Sequence, residues 1–127
     1  MRLFLVRHAE AAPGEPDDLR PLTPAGVAAA RALGERLAAD APAAVLSSPL
    51  LRARQTAEQI ARAAGIEPEP DERLAPGASA DDLRAAATGR GDTIVAVGHQ
   101  PDCSQIVLTV TGREVSFAPA DMVELEL

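Results

Sequence analysis

The sequence predicts one three-layer α/β domain over residues 1–127, with a mostly parallel central sheet and an antiparallel edge strand. Strand-like apolar runs alternate with helical segments along the whole chain. Two of those runs are apolar on both faces, as central strands of a sheet covered on both sides must be. The last run alternates apolar with polar residues, the pattern of a half-exposed edge strand. A length of 127 residues with 46% hydrophobic content fits one domain and one real core. Aromatic residues are only 2%, with no Trp or Tyr, so Ala, Leu, Val and Ile must build that core.

Taken in order, the first strand is predicted over residues 3–6, within the run Met-Arg-Leu-Phe-Leu-Val-Arg-His. This run is too short for a signal-peptide core or a membrane span before Arg7 interrupts it. Thr23 as N-cap and Pro24 at the first helical position start a helix that should run to about Asp40. A second strand is expected over residues 43–47. Ser48 and Pro49 repeat the same start chemistry for a second helix. Leu50, Ala53, Ala57, Ile60 and Ala64 stripe it at spacings of three and four, and Gly65 ends it. A short helix over residues 79–88, a strand over 93–97, a helix over 101–110 and the alternating tail over 122–127 complete the set. Residues 11–22 and 66–78 are rich in Pro, Gly and acids and read as loops within the domain. No repeats or low-complexity tracts interrupt this order.

Charge and cysteine content narrow the function classes. A net charge of −7 argues against nucleic acid or an anionic membrane as a partner. All twelve positive side chains are arginine, which removes Schiff-base lysines, a P-loop lysine and a kinase lysine from consideration. Any anion bound here meets arginine, histidine or backbone N–H groups. The single Cys103 forms no internal disulfide, so a reducing, cytoplasmic setting is expected.

The chain has two histidines, and each follows directly on a predicted central strand: Arg7-His8 after the first, Gly98-His99 after the third. In an open parallel sheet, ligands bind outside the carboxyl ends of the strands, so these imidazoles should meet there. The plainer reading is that each satisfies a nearby backbone group. The segment from Ser47 to Ala57 is a further strand end turning into a helix. Its helix N-terminus, with Ser48 and with Arg52 in the first turn, forms an anion clamp suited to phosphate. Arg54 lies about 200° further round the helix and is read as a solvated surface charge.

These residues carry a resemblance. Arg7-His8, the stretch from Ser47 to Ala57 and Gly98-His99 together resemble the histidine phosphatase superfamily, whose phosphoglycerate mutase-like fold also serves mutases and acid phosphatases. Arg7-His8-Ala9-Glu10-Ala11, Arg20-Pro21-Leu22-Thr23 and Gly26 resemble the opening segment of its smallest branch, the SixA-type phosphohistidine phosphatases. The resemblance implies a metal-independent phosphohydrolase with no cofactor. His8 would attack phosphorus and form a phosphohistidine intermediate that water hydrolyses. Arg7 and Arg52 would depress the pKa of His8 by like-charge repulsion and stabilise the equatorial phosphoryl oxygens. His99 would be the second imidazole, protonated or donating a hydrogen bond. Arg20 and Ser48 would bind substrate.

The sequence departs from the family pattern in two places. Ala9 replaces a common glycine, and Arg73 stands where many relatives place an acidic proton donor. Glu10, Asp17, Asp18 or Glu72 would then have to supply the proton. The segment from Gly65 to Asp92 has room only for a short helix, so no inserted cap should enclose the site, and a phosphorylated protein is the expected partner. A small phosphate ester is the alternative substrate. Two other readings are open: a metal hydrolase using His99 and Cys103 with His8 or Glu10, and a phosphate-binding module without turnover.

Overall fold

Runs that are apolar on both faces need cover on both sides, and this places them in the middle of the sheet. The computed structural model describes residues 1–127. In chain order its elements are β1 (Arg2–Arg7), α1 (Pro24–Ala38), β2 (Ala44–Ser47), α2 (Leu51–Ala64), β3 (Pro68–Pro70), α3 (Ala80–Ala87), β4 (Thr93–Gly98), α4 (Asp102–Thr111) and β5 (Met122–Glu126), with 3-10 turns at Asp17–Leu19 and Glu72–Leu74. The strands form one sheet of order β3-β2-β4-β1-β5. Every pairing is parallel except that of β5 with β1, so the predicted antiparallel edge is present.

Alternation along the strands divides the core between two helical layers. Phe4, Val6, Val45, Val95 and Val97 pack with Leu33, Leu37, Ala53, Ala57 and Ile60 beneath α1 and α2. Leu3, Leu5, Leu46, Ile94 and Ala96 pack with Leu83, Ile106, Val107 and Phe117 beneath α3 and α4. No helix is long and apolar enough to cross a membrane.

The register sets the site. Arg7 pairs with Gly98, and Ser47 pairs with Val97, so β1, β2 and β4 end almost level. His8 N donates to Gly98 O and Ser48 N to Val97 O, each at 3.0 Å, which carries the ladder one step beyond the sheet. His8, Ser48 and His99 therefore leave from one edge.

Several boundaries differ from the sequence reading, for local reasons. The stretch 66–78, expected as loop, contains β3 and a 3-10 turn. β3 is only three residues long with proline at both ends, a composition tolerated at a sheet edge and invisible to strand patterning. Ser48 does not cap α2, which begins at Leu51 with Leu50 as its N-cap and no side-chain cap bond. α1 ends at Ala38 rather than Asp40. The Thr23 cap is as expected, its hydroxyl accepting from Gly26 N, and Gly65 ends α2 in the left-handed conformation at φ 73°.

Candidate active site

The His8 and His99 rings lie with centroids 5.3 Å apart, tilted by 59°. His8 Nδ1 sits 2.8 Å from Ala9 O. A carbonyl only accepts, so Nδ1 carries the proton and the neutral ring keeps its lone pair on Nε2. Burial holds the His8 pKa below its ordinary value, and the charges of Arg52, Arg7 and Arg20 add to this, against the Ala9 bond. The arginine repulsion expected from sequence is present, but desolvation is the larger cause.

His99 is only 5% exposed. Its Nε2 lies 2.7 Å from Ser48 Oγ, which also accepts from Leu50 N at 3.2 Å. A hydroxyl has one proton and two lone pairs, so the Ser48–His99 bond runs in whichever direction the ring tautomer sets. Burial, then His8 and Arg52, push the pKa of His99 down to about 4. His99 is therefore neutral near pH 7. Leu5, Leu74, Val97, Cys103 and Ile106 line an apolar crevice beside it. Cys103 is buried, its Sγ lies 3.9 Å from Val6 O, and burial pushes the thiol up to about 12. The thiol is therefore protonated near neutral pH.

Three guanidinium groups act on His8. Arg7 Nη1 donates to Phe117 O at 2.8 Å, and its Nε is buried without a partner. Arg52 is 8% exposed and turns toward the first loop. It donates from Nη1 to Asp17 O at 2.8 Å and from Nη2 to Asp17 Oδ2 at 3.2 Å. Arg20 donates from Nε to Ala12 O at 2.8 Å and from Nη1 to Asp17 Oδ1 at 3.0 Å. Arg54 is exposed, away from this group.

The acids divide differently. Asp17 is held ionised, its pKa lowered by hydrogen bonds from Arg20 and Arg52, which makes it a poor proton donor. Glu10 accepts from Thr23 Oγ at 2.8 Å, at the start of α1. Glu72 is exposed on its 3-10 turn and bonds to none of the histidines or arginines named above, and Asp18 is likewise exposed. Arg73, the residue at the expected acid position, chelates Asp71 and donates to Ala85 O at 3.1 Å.

Two residues of α2 that sequence reading passed over hold the site together. Thr56 is fully buried; its hydroxyl accepts from Ala9 N at 3.0 Å and donates to Arg52 O at 2.8 Å. Gln55 Oε1 accepts from Leu22 N at 2.8 Å. Arg52, Gln55 and Thr56 are spaced i, i+3 and i+4, so one helix face presents all three. That spacing was the available signal. Gly26 lets α1 approach the chain after His8, since a Cβ there would lie 2.2 Å from Glu10 O.

Comparison with known proteins agrees with this geometry. Residues 3–76 match the family model of the histidine phosphatase superfamily (branch 1). An uncharacterized protein of Picosynechococcus sp. is 34% identical over 98% of this chain and 84% of its own length. The structure of the protein histidine phosphatase SixA complexed with tungstate superposes with a TM-score of 0.87 at 25% identity, covering 100% of this chain and 88% of that one. SixA from Agrobacterium tumefaciens gives a TM-score of 0.81 at 28% identity, covering 97% and 89%. A phosphoserine phosphatase from Entamoeba histolytica, in complex with 3-phosphoglyceric acid, shares the fold, with a TM-score of 0.77 at 19% identity over 97% and 89%. With two strand-end imidazoles among arginines at one sheet edge, and a family model matching more than half of its length, the chain belongs to the histidine phosphatase superfamily (branch 1).

Proposed function

We propose that the protein is a phosphohistidine phosphatase that uses His8 as its nucleophile and needs no metal ion. The observation that carries this reading is the Nδ1–H bond of His8 to Ala9 O, which turns an unprotonated Nε2 into the attacking atom beside His99 and Arg52. In the first half-reaction Nε2 bonds to phosphorus as the P–N bond of the substrate breaks, and the leaving imidazole takes its proton from water. In the second, water attacks phosphorus, the bond to Nε2 breaks, and phosphate leaves with His8 neutral again. Arg52, Arg20 and Arg7 stabilise the equatorial oxygens as charge spreads over them, and His99 donates its N–H to one of them.

The substrate class follows from the acids. Asp17 is ionised, and Arg73 is a surface clamp. An imidazole leaving group is easily protonated from solvent, whereas an alkyl alkoxide needs a placed acid. The likeness to SixA proteins supports the same substrate. A small phosphate monoester is the second reading, favoured by the fold shared with a phosphoserine phosphatase.

Hydrolysis of a phosphohistidine peptide, 3-phosphoglycerate and p-nitrophenyl phosphate in EDTA tests the proposal. The expected kcat/KM is highest for phosphohistidine, by about a hundredfold over phosphoglycerate. A preference for phosphoglycerate assigns the monoester reading. Binding without turnover of any substrate leaves a phosphate-binding module, and loss of all activity in EDTA contradicts the metal-free route.

A further inference from the structure

Asp17 holds two of the guanidiniums at once. Its Oδ1 accepts from Arg20 Nη1 at 3.0 Å, its Oδ2 from Arg52 Nη2 at 3.2 Å, and its carbonyl from Arg52 Nη1 at 2.8 Å. Two anionic oxygens set between two guanidinium groups reproduce the contacts that two oxygens of a phosphoryl group would make there. The two sides of this contact are built differently. The Arg52 side chain is 9% exposed, while that of Asp17 is 65% exposed on a short 3-10 turn. The cation belongs to the floor, and the acid reaches it from the solvent side. No other group holds the Asp17 carboxylate.

We infer that Asp17 is an internal ligand of the oxyanion site: its carboxylate occupies the place of phosphoryl oxygens, and substrate enters and phosphate leaves by exchange with it. Bound there, the carboxylate neutralises arginines that would otherwise face His8 uncompensated. An arriving phosphoryl group must displace it, so the apparent affinity of every oxyanion falls by one shared factor. Free phosphate is then released readily after turnover, because the protein supplies its own replacement anion.

The inference rests on the proposed function only in requiring that an oxyanion binds between these arginines; it does not require hydrolysis. Calorimetric titration of the whole protein with tungstate, and separately with inorganic phosphate at about pH 8, compares the wild type with Asp17→Asn and with Glu15→Gln. Glu15→Gln removes a charge from the same exposed loop without touching an arginine. Asp17→Asn is an exposed, near-isosteric change, and an unaltered melting temperature confirms its fold. The expected result is a Kd about tenfold lower in Asp17→Asn, by the same factor for both anions, with Glu15→Gln unchanged. Unchanged or weaker binding by Asp17→Asn, tightening of one anion alone, equal tightening by Glu15→Gln, or no binding to any of the three proteins overturns the inference. The expected tightening in a protein that fails to hydrolyse phosphohistidine leaves this inference standing and removes the proposed function instead.

Discussion

The bond from His8 Nδ1 to its neighbour's carbonyl leaves the ring's lone pair on Nε2, and burial lowers the pKa of that ring. The same burial makes both imidazoles depend on pH. In the unfolded chain they titrate near the ordinary value of 6.5, while folding lowers His8 below it and takes His99 to about 4. Between those values the unfolded chain binds more protons, so stability falls with falling pH. The contribution is fully present above pH 6.5 and is lost as pH drops through the window down to about 4. Melting temperatures at about pH 7.5 and pH 4.5 should therefore differ more in the wild type than in His99→Gln, which lacks one of the two groups. Equal pH dependence in the two proteins would remove the burial account of His99.

Helix α2 shows how one element joins the groups of the candidate site. Arg52 reaches the first loop, and one turn further on Thr56 binds the Ala9 amide and the Arg52 carbonyl. Because Ala9 O also receives the His8 Nδ1–H, the proposed function makes Thr56 a positioning residue for both His8 and Arg52. Thr56→Val keeps the volume and leaves the buried Ala9 N–H without an acceptor, at a cost of about 1–3 kcal/mol in stability. The expected kinetic result is a kcat about tenfold lower with KM little changed, while Thr56→Ser retains most activity. A Thr56→Val enzyme that is destabilised but turns over at the wild-type rate would make the residue purely structural. The sequence showed Arg52 and the strand-to-helix turn, since both follow from a Pro-containing start after an apolar run. It did not show that Ser48 serves His99 instead of capping the helix, because the true start lies at Leu51 and the Ser48 hydroxyl bonds across 51 residues.

At the scale of the molecule, the site exists because β1, β2 and β4 run parallel and end together, each giving up one polar residue at the same edge. This much was legible, since the apolar runs of β1 and β4 end in Arg7-His8 and Gly98-His99. The short proline-bounded β3 was not, because its three residues carry no alternation and pair only along β2. Nor was the bridge of Asp17 to Arg20 and Arg52, which depends on where an irregular loop settles. The proposed function makes His8, at this edge, a phosphoryl acceptor. Its most direct test is to expose the protein to a small phosphoramidate donor, quench it, and locate any covalent phosphoryl group by intact and peptide mass spectrometry. The wild type should carry one acid-labile phosphoryl group on His8, and His8→Ala should carry none. Label on another residue, or a His8→Ala protein that still hydrolyses phosphohistidine, would contradict it.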